Sequence, residues 1–157
     1  MNLCKAGYEV VISDVNALNV KAVIKAAGPT ATIRSATTSE IANDCDVVLV
    51  SLPSEKIGWD VLLSPTGLVP LMASSGRKGV LIDTSTVGLA FSRDCHSAAK
   101  AAGLAFLDSP ISGGPEGARN GTLTVMVGGS KVVFERCKPV LSALGRHIAL
   151  FGSGSTG

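Results

Sequence analysis

Short apolar runs that alternate with helical segments are the feature that most constrains the fold of this 157-residue chain. The clearest runs, DVVLVSL, GVLIDT and LAFLD, occupy residues 46–52, 79–84 and 104–108. Each run is apolar on both faces, which is typical of parallel strands that are covered by helices on both sides. The repeated strand–helix–strand order therefore predicts an α/β fold with a doubly wound, mostly parallel sheet.

Weaker signals complete this prediction. Further strands are predicted at residues 8–13, 30–34, 122–127 and 148–151, and helices at 55–62, 68–74 and 89–102. Asn16 can cap a helix, and Thr37 and Glu40 have the spacing of a capping box. Pro139 is expected to kink or split a last helix that starts near residue 130. Because no repeat or linker marks a second domain, one domain is predicted.

Composition narrows the range of partners. The chain is 46% hydrophobic and 17% charged, which is typical of a globular protein. Its net charge is +2 and it has no long basic cluster, so nucleic acid is not expected as a partner. No apolar stretch approaches the roughly 20 residues that span a bilayer, so no membrane segment is expected. The four cysteines form no C-x-x-C pair and are predicted to be free thiols rather than zinc ligands.

The first candidate site residues come where predicted strands end, since open α/β sheets hold ligands beyond the carboxyl ends of their strands. Asp14 follows the run at 8–13. It either accepts hydrogen bonds from dinucleotide ribose hydroxyls, which predicts NAD rather than NADP, or is an ordinary turn residue. Residues 51–54 (SLPS) and 84–86 (TST) end the strands at 46–52 and 79–84, and their hydroxyls either contact a cofactor or cap helices.

A glycine turn is the other candidate. Ser112, Gly113 and Gly114 can expose consecutive backbone N–H groups that suit a carboxylate, or can serve only to reverse the chain. His96 and His147 have no triad partner nearby in the sequence and are interpreted as surface or core residues. The other polar or aromatic candidates are interpreted as packing or solvated side chains: Trp59, Glu116, Arg119, Lys131 and Lys138.

The string DSPISGGPEGARNGTLTVMVGG at 108–129 resembles the substrate-binding signature of the β-hydroxyacid dehydrogenases. Within that family it is most similar to 3-hydroxyisobutyrate and tartronate semialdehyde dehydrogenases. Residues 82–87 (IDTSTV) resemble a second recurring block, and residues 5–10 (KAGYEV) also fit. The resemblance implies a Rossmann-like domain in which NAD is held by Asp14, Leu52, Pro53, Ser85 and Thr86. It also implies that Ser112, Gly113 and Gly114 hold the substrate carboxylate.

The resemblance further implies an activity. The expected reaction is the reversible, NAD-dependent oxidation of a small 3-hydroxy acid to its semialdehyde, with 3-hydroxyisobutyrate the first substrate and a place in valine degradation. Tartronate semialdehyde and 6-phosphogluconate are alternatives, the latter because residues 112–119 also resemble 6-phosphogluconate dehydrogenase. The family includes mitochondrial and bacterial cytoplasmic members, so the implied compartment is the mitochondrial matrix in a eukaryote and the cytoplasm in a bacterium.

Two features of the family pattern fall outside residues 1–157. The family opens with a strand and a G-x-G-x-x-G loop that binds the pyrophosphate, and this chain begins just past that loop. Its general-base lysine follows a C-terminal glycine cluster by about one helical turn, and this chain stops inside that cluster. We therefore expect an NAD-binding domain truncated at both ends, with a gap where strand 1 of a 3-2-1-4 sheet would lie.

A truncated domain of this kind has functional consequences. The chain alone is expected to be inactive, and the full-length form is expected to be a homo-oligomer that acts on a small hydroxy acid. The alternative from a different functional class is a non-catalytic binding module or pseudoenzyme.

Overall fold

A computed structural model describes all residues from 1 to 157. The helices are α1 (Asn2–Lys5), α2 (Ala17–Ala27), α3 (Thr38–Asp44), α4 (Glu55–Gly58), α5 (Leu68–Ser74), α6 (Leu89–Ala101), α7 (Gly114–Asn120) and α8 (Lys131–Ser142). The strands are β1 (Val10–Ile12), β2 (Ile33–Ser35), β3 (Val47–Val50), β4 (Val80–Asp83), β5 (Ala105–Asp108), β6 (Ile111–Ser112), β7 (Leu123–Gly129) and β8 (Gly145–Gly152). The alternation of strands and helices agrees with the prediction except at β6 and α7, which form where only a glycine turn was predicted.

The larger sheet has six strands, and its core is parallel. β4 pairs in parallel with β3 on one side and β5 on the other. β7 runs antiparallel to β5 and β6, and β8 pairs in parallel with β7. Because residues 124 and 125 of β7 pair with both β6 and β8, these two strands must lie on opposite edges of β7. The predicted mostly parallel α/β sheet is confirmed.

A smaller sheet contains only β1 and β2, which pair in parallel with Val10 opposite Ile33. No strand pairing joins it to the larger sheet, so β1 and β3 each have one unpaired edge. The absence of strand 1 from a 3-2-1-4 order stays a prediction.

Strand β4 lies between two apolar cores, one on each face of the larger sheet. Leu81 packs in the core that includes Phe91 of α6 and Met72 of α5. Val80 and Ile82, whose side chains point the other way, pack in the core beneath α8. All three β4 residues have no exposed surface. The two-sided apolar pattern of this run therefore has the physical cause that the sequence predicted.

The helix caps that the sequence predicted also form. Asn16 caps α2, with its side chain accepting a hydrogen bond from Leu18 N–H at 3.0 Å. At the start of α3, Glu40 N–H donates to Thr37 Oγ1 at 3.3 Å, and Thr37 N–H donates to Glu40 Oε2 at 2.7 Å. These bonds satisfy N–H groups that a helix start would otherwise leave without acceptors.

Two local predictions were wrong, the splitting of the last helix at Pro139 and the packing of Trp59, and two predicted strands form with other bounds. Pro139 does not split the last helix, because α8 continues through it to Ser142, with the fully buried Cys137 and Leu141 anchoring both sides to the sheet. Trp59 is 55% exposed rather than packed, and it opens a π-helical turn that replaces the end of the helix predicted at 55–62. The strand predicted at 30–34 is displaced and forms at Ile33–Ser35 (β2). The strand predicted at 148–151 is longer and spans Gly145–Gly152 (β8).

The structure also describes the helices and cysteines that the sequence analysis considered. None of its helices combines the length and apolar character needed to cross a bilayer. The four cysteines are all free thiols, and Cys95 and Cys137 are buried. Burial raises the pKa of Cys95 to about 12, so this thiol stays protonated.

Truncation of Leu81 tests the central position of β4. Leu81→Ala removes a side chain that touches no solvent, so we expect the free energy of unfolding to fall by about 2–5 kcal/mol. Val132→Ala is the matched control, because Val132 on α8 is 80% exposed and its truncation should cost less than about 0.5 kcal/mol. Urea denaturation of both variants measures the difference, and equal losses would contradict the assignment of β4 to the core.

Candidate active site

The carboxyl ends of three parallel strands meet at one edge of the larger sheet. β3 ends at Val50, and β4 and β5 end at Asp83 and Asp108, which are opposite each other in register. Two of the predicted site segments, 51–54 and 84–86, follow directly from β3 and β4. The position is the one where open α/β sheets hold their ligands.

Hydrogen bonds join these two segments. Leu52 N–H donates to Ser85 Oγ at 2.8 Å, and Thr84 donates both its N–H and its hydroxyl to the carbonyl of Val50, each at 2.8 Å. Ser85 is buried, whereas Pro53 and Thr86 are exposed. The predicted cofactor residues that follow β3 and β4 are therefore held together, with Pro53 and Thr86 accessible to a ligand.

Asp14 lies at the carboxyl end of β1, in the smaller sheet. Its Oδ1 accepts a hydrogen bond from Asn16 N–H at 2.7 Å and its Oδ2 accepts one from Asn19 Nδ2 at 3.1 Å. These bonds, led by that from Asn16, lower the pKa of Asp14, so the exposed carboxylate is ionised at neutral pH. A cleft of about 290 Å³ lies beside it, lined also by Ser13 and Ser35.

The Ser112 turn, which consists of Ser112, Gly113 and Gly114, connects β6 to α7. Ser112 pairs with Thr124 of β7, and the next two residues have φ values of 135° and 63°. These left-handed values favour glycine, and a Cβ at Gly113 would also approach Leu123 Cδ2 to 3.1 Å. All three residues of the turn are exposed. The turn therefore presents backbone next to a hydroxyl, as its interpretation as a carboxylate site requires.

One interaction was missed by the sequence analysis. His96 of α6 places Nε2 2.6 Å from Oδ1 of Asp108, and its ring packs edge-on against Phe106 with centroids 4.8 Å apart. The two partners are 12 residues apart, on a helix and on the strand that follows it. Because the helix before a strand runs antiparallel to it in an α/β unit, a mid-helix residue can reach the end of that strand. This geometry was the available signal.

The adjacent carboxylates Asp83 and Asp108 have opposite pKa shifts. Burial raises the pKa of Asp83, and the bonds from Ser85 only partly offset this effect. Burial also acts against the ionised form of Asp108, but hydrogen bonds from His96, Ser155 N–H and Gly157 N–H together outweigh it and lower the pKa of Asp108. The edge of the sheet therefore favours a charge on Asp108 over one on Asp83.

The remaining candidates lie away from this edge or on its surface. Lys131 and Lys138 are exposed on α8, as predicted, and Lys138 Nζ is 3.9 Å from Glu135 Oε2. His147 is exposed on β8, and Glu116 and Arg119 are exposed on α7. No group of three or more His, Cys, Asp or Glu side chains has a geometry that could hold a metal ion.

Comparisons with known proteins indicate the same family as the sequence. A family model described as the NAD binding domain of 6-phosphogluconate dehydrogenase matches residues 1–152. The 2-(hydroxymethyl)glutarate dehydrogenase of Eubacterium barkeri is 35% identical, over 100% of this chain and 50% of its own length. The NAD-dependent L-serine dehydrogenase of Pseudomonas aeruginosa is 36% identical, over 99% of this chain and 50% of its own length.

A solved structure gives the same result. The 3-hydroxyisobutyrate dehydrogenase of Mycobacterium tuberculosis, solved with L-serine, has a TM-score of 0.84 at 29% identity and covers 99% of this chain. The chain covers 50% of that structure, so it spans about half the length of the relatives it matches. The predicted family resemblance and the Rossmann-like fold are confirmed.

Replacement of Asp83 tests whether the pKa of this carboxyl group is raised in the folded protein. Asp83→Asn keeps a side-chain oxygen that can accept the 2.9 Å bond from Ser85 N–H but removes the titratable group. Because the folded-state pKa of Asp83 is raised, its contribution to stability is full below the unfolded pKa of about 3.9 and is lost as pH rises through the folded value. We expect the variant to gain stability relative to wild type between about pH 4 and pH 7. A difference that stays constant over this range, in urea melts, would contradict the raised pKa.

Proposed function

Because this chain belongs to the family of NAD binding domains of 6-phosphogluconate dehydrogenase, we propose that it is the cofactor half of an NAD-dependent dehydrogenase. The proposed reaction is the oxidation of the primary hydroxyl of a small 3-hydroxy acid to the semialdehyde. The observation that carries the proposal is the family match, which extends over residues 1–152.

The names of the relatives suggest the class of substrate. L-Serine, 3-hydroxyisobutyrate and 2-(hydroxymethyl)glutarate share a hydroxymethyl group on the carbon that carries a carboxylate. They differ in the other substituent of that carbon, which is an amino, a methyl or a carboxyethyl group. We therefore propose a 3-hydroxy acid of this form, with 3-hydroxyisobutyrate first. Tartronate semialdehyde, whose reduced form has a hydroxyl at that carbon, and 6-phosphogluconate are the alternatives.

The residues present fit the proposed cofactor. Asp14 is exposed and ionised, and each carboxylate oxygen keeps acceptor capacity beyond its bond to Asn16 or Asn19. It would hold the adenosine ribose hydroxyls, and its charge would disfavour a 2′-phosphate. The other residues proposed to line the site are Leu52, Pro53, Ser85 and Thr86. NAD, when bound, supplies the hydride acceptor.

The Ser112 turn would orient the substrate through its carboxylate. Its hydroxyl and its backbone N–H groups are donors, and the positive φ values of Gly113 and Gly114 leave the backbone open to close approach. Fixing the carboxylate fixes the direction of the hydroxymethyl group, and positioning of this kind lowers the entropic barrier of the reaction. No residue of the chain is assigned as the general base, since Lys131 and Lys138 lie on the exposed side of α8.

A substrate panel on the full-length protein tests the proposal. NADH formation is measured with 3-hydroxyisobutyrate, L-serine, 2-(hydroxymethyl)glutarate, glycerate and 6-phosphogluconate. Turnover of one or more 3-hydroxy acids supports the proposal, and a preference for 3-hydroxyisobutyrate would also support the predicted role in valine degradation. Binding of NAD without any turnover would instead favour the non-catalytic alternative. Light scattering on the same preparation tests the predicted homo-oligomer.

Asp14 should determine the choice of cofactor. Asp14→Ala removes the proposed ribose acceptor, so kcat/KM with NAD should fall about 10- to 100-fold while the ratio of NADP to NAD activity rises. Asn19→Ala is the matched control, because it removes the 3.1 Å bond to Asp14 but keeps the carboxylate. Steady-state kinetics with both cofactors give the answer. A similar loss in both variants would mean that Asp14 acts only as a turn residue.

Ser112 should affect the acid and not the cofactor. Ser112→Ala removes a donor proposed to bind the substrate carboxylate, so KM for the hydroxy acid should rise about 10-fold while KM for NAD stays unchanged. Ser39→Ala, at an exposed position of α3, removes the same hydroxyl far from the turn and should change neither constant. An unchanged KM for the acid in Ser112→Ala would exclude the serine hydroxyl from the substrate site.

A further inference from the structure

The C-terminal segment, defined as residues 152–157, folds back onto the carboxylate of Asp108. Ser155 N–H donates to Oδ1 and Gly157 N–H donates to Oδ2, both at 2.7 Å. His96 Nε2 lies 2.6 Å from the same Oδ1. Asp108 is only 5% exposed, and a buried carboxylate of this kind needs such partners to remain ionised. One side chain therefore connects the end of β5, helix α6 and the C-terminal segment.

Glycines allow this close approach. A Cβ at Gly154 would overlap the His96 ring, and a Cβ at Gly157 would overlap the carbonyl oxygens of Met126 and Asp108. The contacts at Gly157 involve main chain of β7 and β5, which cannot move aside without disturbing the sheet, whereas the contact at Gly154 is with the side chain of His96. The segment is therefore fitted closely against the sheet at Gly157 and against the His96 ring at Gly154.

Ser155 adopts a backbone conformation that needs support. It has φ of 68° and is the only non-glycine residue of the chain with a positive φ. Its hydroxyl is 3.2 Å from Ser92 Oγ of α6, in addition to the bond from its N–H to Asp108. A residue other than glycine keeps a left-handed backbone conformation only where surrounding interactions hold it. Asp108 is the charged member of those interactions.

The C-terminal segment is also linked to the Ser112 turn. Gly157 packs against the carbonyl of Met126, and the N–H of Met126 donates to the carbonyl of Pro110 at 3.0 Å. Pro110 lies between Asp108 and Ser112 in the same short loop. A displacement of the segment from Asp108 would therefore be transmitted to the backbone that carries the proposed carboxylate site.

We propose that Asp108 is a positioning residue, which fixes the C-terminal segment relative to the Ser112 turn, with His96 as its side-chain partner. The kinetic part of this proposal rests on the proposed dehydrogenase function, whereas the structural part does not. Asp108 is not among the residues proposed to hold either ligand, so its effect on turnover would be exerted through the segment and the turn.

Hydrogen exchange in the full-length protein tests the structural part. In Asp108→Asn the amide group offers a donor where the carboxylate accepted, so exchange in residues 152–157 should accelerate at least about 10-fold, while exchange in β4 stays unchanged. Asp46→Asn makes the same chemical change at the exposed Asp46–Arg77 pair beside the start of β3 and should leave both regions unchanged. Unchanged exchange in residues 152–157 of Asp108→Asn, or equal acceleration throughout the protein, would overturn the proposal.

Kinetics of the same variants test the functional part. Asp108→Asn should lower kcat at least about 10-fold with KM for NAD unchanged, because the side-chain hydrogen bonds between the segment and the rest of the chain go to Ser92, His96 and Asp108 and not to the proposed cofactor residues. A parallel loss of NAD affinity, or a kcat equal to that of wild type, would overturn the role in positioning. If the wild-type protein turns over no hydroxy acid, the proposed function fails, and the exchange experiment still decides whether Asp108 holds the segment.

Two further variants separate positioning from a general loss of folding. Gln has an amide nitrogen near the position of His Nε2. His96→Gln should therefore keep most of the wild-type kcat and the slow hydrogen exchange of residues 152–157, whereas His96→Ala should lose both. Gly154→Ala displaces the segment through the His96 ring without altering the carboxylate, so it should reproduce the Asp108→Asn kinetics. Equal behaviour of His96→Gln and His96→Ala, or wild-type kinetics in Gly154→Ala, would contradict the proposal.

Discussion

The parallel register of β4 with β3 and β5 places the candidate site residues of the larger sheet at one edge. β4 is buried along its whole length, so neither neighbour can slip without moving apolar side chains out of a core. The register brings the end of β4 opposite the ends of both neighbours. Segments 51–54 and 84–86 and residue Asp108 are then close in space although they are far apart in sequence.

The sequence could predict those features that depend on local patterns. The two-faced apolar runs predicted β3, β4 and β5, and the Thr37–Glu40 spacing predicted a capping box that formed as expected. Pro139 was misjudged because burial of α8 against the sheet outweighed a local preference for a helix break. Trp59 was misjudged because aromatic character alone does not tell which side of a short helix faces the core.

The His96–Asp108 pair shows a different limit of prediction. The sequence singles out His96 as a histidine and Asp108 as the start of the string at 108–129, but their contact depends on the packing of α6 against β5, which no periodicity reveals. The same holds for the contact of Gly157 with Met126, because it requires the path of the chain after β8. The positive φ values of the Ser112 turn, by contrast, agree with the glycines that the sequence displays.

The two separate sheets divide the proposed cofactor site. Asp14 belongs to the smaller sheet, and Leu52, Pro53, Ser85 and Thr86 belong to the larger one. One edge of β1 and one edge of β3 have unpaired backbone groups, and a parallel strand that paired with both would satisfy them at once. Such a strand would also fix the distance from Asp14 to Thr86, which a dinucleotide must span. We therefore expect the affinity for NAD to depend on what pairs with these edges as well as on the residues proposed to contact it.

Asp83 and Asp108 are identical groups at one edge of the sheet, but their pKa values shift in opposite directions. They occupy paired positions at the ends of adjacent strands, and both are almost completely buried. Asp83 is bonded mainly by its neighbour Ser85, whereas Asp108 accepts two backbone N–H groups and faces a histidine. Burial acts against the charge on both carboxylates, and the larger number of donors at Asp108 makes its pKa lower than usual while that of Asp83 is raised. Because two of those donors come from residues 152–157, the charge at this edge depends on the C-terminal segment being in place.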